Sequence, residues 1–163
     1  MARRHTRELI LEVGLGLFNE FGQPNVTTNH IADEAAISPG NLYYHFRSKD
    51  DIVIELFKRF LGRFKPLIDI PDDILLHADD LWFQLHLSFE LKGEYRFLYR
   101  NLADLTARIP DLDRAMRGLL QRERQAAWNS LTGLEQTGAL QIGAIELGLL
   151  TDDLLLSLTS WIP

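Results

Sequence analysis

Asn41 and Tyr44 have the most definite recognition chemistry in this chain. An asparagine amide donates and accepts side by side, which matches the N6 and N7 edge of adenine. A tyrosine ring packs on a thymine methyl, or its hydroxyl reaches a phosphate. Both lie in Ser38–Phe46, which reads as a short helix with Ser38 as N-cap and Pro39 at the first helical position, where no donor is lost. Leu42 and Phe46 are spaced i, i+4 and form its inner face, which directs Asn41, Tyr43, Tyr44 and His45 outward. Gly40 has no Cβ and lets the helix start approach a surface closely. The segment carries no Lys or Arg, so bidentate reading of guanine is not expected from it.

A helix that reads base edges needs a second helix behind it. Thr27 and Thr28 offer N-caps for one, and Ile31, Ala32 and Ala35 share its inner face. The small side chains of Ala35 and Ala36 allow a close crossing. Two short helices joined by a tight turn form a helix-turn-helix. The run Thr27, Ile31-Ala32, Ala35, Ile37-Ser38, Gly40, Leu42-Tyr43, His45-Phe46 and Lys49 resembles the DNA-binding signature of the TetR family of bacterial transcriptional regulators. Ile10-Leu11, Leu17-Phe18 and Gly22 resemble that family's first helix. Ala36 stands where the family usually has glycine, and Ile37 where it often has valine. The resemblance implies that Thr28, Tyr43, His45 and Lys49 hold phosphates. With Thr27, Ser38, Pro39, Gly40, Asn41 and Tyr44, and with Arg4 from the basic start of the chain, they make up the expected DNA-binding set.

The elements around this motif follow in order. Arg3, Arg4, His5 and Arg7 read as a basic arm for phosphates or a minor groove, the alternative being a solvated terminus. A helix is expected from near Thr6 to Phe21, with Ile10, Val13, Leu17 and Phe21 as its stripe. Gly14 and Gly16 suggest close packing by another helix, and Gly22 a C-cap. Ser48 with Asp51 forms a variant capping box for a fourth helix ending near Lys65, before Pro66. The expected organisation is a head over residues 1–48, a linker helix over 49–65 and a regulatory and dimerisation body over 66–163.

The body reads as helical throughout: Asp72–Leu91, then Tyr95 to just before Pro110 after a break at Gly93, Asp111 to about Thr137, and Gly143–Ile162. The fold class is therefore all-α. Trp82, Phe83, His86, Phe89, Tyr99 and Trp128 are candidates to line an apolar pocket with a few polar handles, each weighed against a place in the plain core. The last helix is the most apolar stretch, and such faces mark interaction surfaces. Leu147, Leu150, Leu154, Leu155, Leu158 and Trp161 are its candidate dimer contacts, the alternative being that they complete the chain's own core. By resemblance the family dimerises through its last two helices, and this chain ends early for it, so a truncated C-terminus is expected.

Composition limits the other readings. The net charge of −6 divides unevenly: residues 1–65 hold nine Lys/Arg against eight Asp/Glu, and residues 66–163 hold eight against fifteen. Local rather than total charge decides attraction to phosphates. Cysteine is absent, which excludes disulfides, thiol catalysis and cysteine zinc sites and suits a cytoplasmic protein. No stretch approaches the ~18 apolar residues of a membrane span, and there is no phosphate-binding glycine motif. His86 and Glu90 are two potential ligands, which do not make a metal site, and His77 lies in an acidic helix start. No enzyme activity, cofactor or metal is expected. The expected function is a homodimeric repressor on an inverted-repeat operator, released by a small apolar effector. Control of the body by a protein partner is the alternative.

Overall fold

The computed structural model describes residues 2–69 and 77–160; Trp161 and the side chain of Arg4 lie outside the described residues. Every regular element among the described residues is helical. Helix α1 spans Ala2–Phe21, α2 Thr28–Glu34, α3 Pro39–His45, α4 Lys49–Ile68, α5 Ala78–Glu94, α6 Arg96–Arg100, α7 Leu102–Arg108, α8 Pro110–Gln136 and α9 Ala144–Ser160.

Local signals set the boundaries of the first four helices. Gly22 takes φ +80° after α1, a conformation that glycine adopts at no steric cost. A single 3-10 turn over Gln23–Asn25 follows. The Thr27 hydroxyl, not that of Thr28, caps α2 by accepting from the His30 N–H at 3.1 Å. The Ser38 hydroxyl accepts from the Asn41 N–H at 3.2 Å. Ser48 and Asp51 exchange backbone–side-chain hydrogen bonds of 3.1 Å in both directions, completing the box at the start of α4. Between α2 and α3, Ala36 is held at φ +52°. A Cβ in that region costs about 1–2 kcal/mol, which gives a physical reason for glycine at this turn. Ala36→Gly is expected to raise stability by about 0.5–1 kcal/mol, the strain relief being partly offset by the greater entropy of an unfolded glycine. An unchanged or lowered urea midpoint would contradict this.

Four boundaries differ from expectation. The basic start of the chain is helical from Ala2, since neither Arg3 nor Arg4 breaks a helix. Helix α4 runs through Pro66 to Ile68. Proline forfeits the bond to the Gly62 carbonyl, but the buried Phe64 and Ile68 hold the last turn against the core. Gly93 lies inside α5; the break falls at Tyr95, and a second break at Asn101 splits the expected single helix into α6 and α7.

One apolar cluster runs without interruption from Ile10 and Phe18 in α1, through Ile31 and Leu42, along α4 to Phe97, Met116 and Leu119. Helix α4 is its axis. Phe60, fully buried, stacks on Phe64 at 5.0 Å and meets the rings of Tyr95 and Tyr99 at 5.5 and 6.0 Å. At the front of α4, a Cβ on Gly14 would stand 3.3 Å from Ile52 Cγ2, so this glycine serves a close crossing; Gly16 has open space around it.

Candidate nucleic-acid interface

The outer face of α2–α3 is assembled from short-range caps and one cross-helix contact. The hydroxyls of Thr28 and Tyr43 meet at 2.9 Å, which ties the two helices on the outer side. Leu42 and Phe46 are buried behind them. Ser38, Pro39, Gly40 and Asn41 are exposed at the start of α3. Tyr44 is 63% exposed and Tyr43 48%. The Tyr44 ring meets His45 edge-on at 5.2 Å, which stiffens the outward face. Apart from Lys49 and Arg4, the expected set therefore shares one surface around α3 and the caps.

Lys49 faces the other way. Its ammonium donates to the carbonyls of Gln23 and Val26 at 2.8 and 2.7 Å, closing the turn between α1 and α2 onto the start of α4. Burial, and then the nearby Arg108 guanidinium, push its pKa below the ordinary lysine value, against the pull of Asp50 and Asp104. These contacts give Lys49 the role of positioning the turn, where the resemblance implied a phosphate contact. Lys49→Met should lower stability by about 1.5–3 kcal/mol, the range for hydrogen bonds to a charged group. The slope of log affinity for DNA against log salt should stay the same. A slope reduced by about one would instead mean a lost phosphate contact.

Charge near the interface comes from Arg7, already read as part of the basic arm, and from Arg47 and Lys58, which sequence reasoning passed over. Arg7 lies 5.1 Å over the Phe46 ring and pairs with Glu55 at 3.0 Å. With His45, exposed Arg47 and Lys58 it lines an open cleft of about 340 Å³ beside the C-terminal end of α3. Arg47 adjoins the motif, which was the available signal; Lys58 needed the packing of α1 on α4 to come near. Asparagines fasten this head to the body. Asn19 donates to the Glu94 carbonyl at 2.7 Å and accepts from the Phe97 N–H at 3.1 Å. Asn101 accepts from the Gln23 N–H at 3.3 Å. Arg108 pairs with Asp50 across the same seam.

In the body, the expected pocket residues do not converge. Trp82, Phe83, His86 and Phe89 lie on the outer side of α5, with Trp82 72% exposed. His86 pairs with Glu90 at 3.3 Å on that surface. Tyr99 is buried and Trp128 half-buried. The buried polar feature is instead an ion pair: Lys92 Nζ lies 2.5 Å from Glu123 Oε1, with side chains 0% and 3% exposed. The same ammonium donates to the Leu158 carbonyl at 3.0 Å and lies over the rings of Phe64 and Tyr99. Burial pushes Lys92 down and Glu123 up, and each charge restrains the other's shift. On α9, Leu147 and Leu158 are packed into the chain's own core, Leu154 and Leu155 are half-buried, and Leu150 is 39% exposed. The outward stripe consists of Ile145, Leu149 and Leu156, at 82%, 62% and 63% exposed.

This arrangement of a capped helix pair on a long axial helix recurs in known proteins. Residues 10–56 match the family described as bacterial regulatory proteins, tetR family, and residues 59–163 match the TetR family of bacterial transcriptional repressors. The chain belongs to the TetR family. A TetR-family transcriptional regulator from Marinobacter aquaeolei VT8 is 36% identical, with a TM-score of 0.89 over 95% of this chain and 77% of that one. The HTH-type transcriptional repressor KstR2 of Mycobacterium tuberculosis is 39% identical over 105 residues, which is 62% of this chain and 52% of the repressor. The solved structure of that regulator, at 24% identity and a TM-score of 0.74 over 93% of this chain and 81% of its own, shares the fold. The chain spans about half the length of the curated relatives it matches. Among the described residues no helix is long and apolar enough to cross a membrane.

Proposed function

We propose that this TetR-family chain binds operator DNA in a sequence-specific way as a homodimer and represses transcription until a small effector enters its helical body. The observation that carries this reading is the outward face of α3. Asn41 and Tyr44 stand exposed on a helix start held by the Ser38 cap and braced through the Thr28–Tyr43 contact. In such a head, asparagine and tyrosine read base edges while Thr28, Tyr43, Arg47 and backbone N–H groups hold phosphates. One short helix offers few contacts, so useful affinity needs two heads on inverted half-sites. The stripe of Ile145, Leu149 and Leu156 supports self-association through α9. Its residues differ from those expected earlier because Leu147 and Leu158 are already covered. Repression is supported by the 39%-identical relative, which is a transcriptional repressor.

The test is selection of bound sequences from a random duplex pool. Enrichment of an inverted repeat, with one dimer bound per duplex, is the expected result. Equal recovery of all sequences from a folded protein would overturn specific operator recognition. A single half-site bound by a monomer would overturn the dimer.

A further inference from the structure

We infer that Asn19 sets the half-site spacing this protein accepts on its operator, by fastening the head to the body away from the axis of α4. It acts as a positioning residue through the placement of α3, not as a DNA contact. This rests on the homodimer reading above and adds which residue holds the two heads at one separation.

The need for an off-axis fastening comes from α4. That helix belongs to both parts: Ile52 lies against Gly14 of α1 at its front, and Phe60 meets Tyr95 and Tyr99 further along. A shared helix fixes how far apart the two parts sit. The buried apolar contacts along it are non-directional, so they resist a turn of the head about the α4 axis only weakly. Hydrogen bonds to one side of that axis supply the missing constraint, because they weaken steeply when bent.

Asn19 supplies it where the backbone of the body has two groups to give. At the break between α5 and α6, the Tyr95 and Leu98 N–H groups bond to the Lys92 and Tyr95 carbonyls at 3.1 and 3.0 Å. This takes the Glu94 carbonyl and the Phe97 N–H out of the helical ladder. Asn19 bonds to both: Nδ2 donates to the carbonyl at 2.7 Å, and Oδ1 accepts from the N–H at 3.1 Å. With both ends of the amide engaged, the side chain has one orientation. Beside it Phe18 meets Phe97 at 5.2 Å. At the next break Asn101 accepts from the Gln23 N–H at 3.3 Å, so α6 is pinned at both ends to the end of α1. Arg63 of α4 donates to the Glu94 carboxylate at 2.9 Å. Glu94 is thereby tied to α1 through its backbone and to α4 through its side chain.

Duplex geometry turns this fastening into specificity. One added base pair moves the second half-site about 3.4 Å along the axis and rotates it by about 34°, since about 10.5 base pairs make one turn. A dimer follows that move by turning its heads on their bodies, which breaks both Asn19 bonds in each head.

Fluorescence anisotropy with the whole chain reads this on duplexes that carry the selected half-sites, with the spacer kept, shortened or lengthened by one base pair. The unaltered protein is expected to lose at least about tenfold in affinity for either changed spacer, the cost of breaking those bonds. Asn19→Ala has no such bonds to break. It should stay within about threefold on the selected duplex and lose less than about threefold on the changed ones. Asn19→Asp keeps the acceptor and loses the donor; it should fall between the two, and it carries the test if circular dichroism finds the alanine variant unfolded. Arg59→Ala breaks the pair with Glu8 inside the head and should keep the sharp spacing profile. Equal broadening by Arg59→Ala would overturn the role of Asn19, as would an unchanged profile in folded Asn19→Ala or no spacing preference in the unaltered protein. The number of chains per duplex separates this from the dimer reading. Two chains per duplex with a profile indifferent to Asn19 removes only the role of Asn19. One chain on one half-site removes the dimer, and the spacing with it.

Discussion

Glu123→Leu alone is expected to cost about 3–5 kcal/mol of stability, read as a lowered urea midpoint. The substitution removes the partner of a fully buried ammonium. Lys92 would keep the Leu158 carbonyl and the faces of Phe64 and Tyr99, which do not replace a carboxylate 2.5 Å away. The double variant Lys92→Met, Glu123→Leu should recover most or all of the loss, because well-packed apolar residues often match or exceed a buried pair in stability. Burial holds the Lys92 pKa in the folded state below its ordinary 10.5, further still once Glu123 is gone. The unfolded chain then binds more protons than the folded one, so stability rises with pH. The deficit of Glu123→Leu should shrink as pH climbs from the depressed value towards 10.5. A single variant that loses under about 1 kcal/mol would mean that water reaches the pair.

Asn41→Ala with Tyr44→Ala is expected to lower affinity for the selected operator about 100-fold or more, at little cost to stability. Each base contact contributes about 1–3 kcal/mol of discrimination, and a dimer loses it in both half-sites. Both side chains are exposed and neither serves as a helix cap, so the head stays folded. Because neither is charged, the salt slope should not move. Fluorescence anisotropy with the selected duplex and a scrambled one reads both quantities. A loss equal for both duplexes would show that the two residues hold the backbone and read no bases.

Much of the head was legible in the sequence because its signals are local. A cap, a proline at N1 and a positive-φ glycine act within four residues, so Gly22, Thr27, Ser38-Pro39 and Ser48 with Asp51 could be assigned before any packing was known. Helices with a single apolar stripe were also readable: Ile10 and Leu17 on α1, or Leu56 and Phe60 on α4, are buried as their spacing implies. Even the departure at Ala36 marked the turn where the backbone is strained.

The body was decided by tertiary structure. Helices α5 and α9 are apolar on more than one side, so periodicity does not say which side meets a neighbour. Packing against α4 and α8 buried Ser88 and Leu91, Leu147 and Leu158, and left Trp82, Phe83, Ile145 and Leu149 outside. Charged residues are ambiguous in the same way. Lys49 read as a phosphate contact and nothing local singled out Lys92 or Glu123; only the meeting of distant segments turned the first onto the carbonyls of a turn and the other two into a buried pair. Caps and single stripes are written within one helix. The choice of face on an evenly apolar helix, and the partner of a buried charge, depend on the surface of another helix.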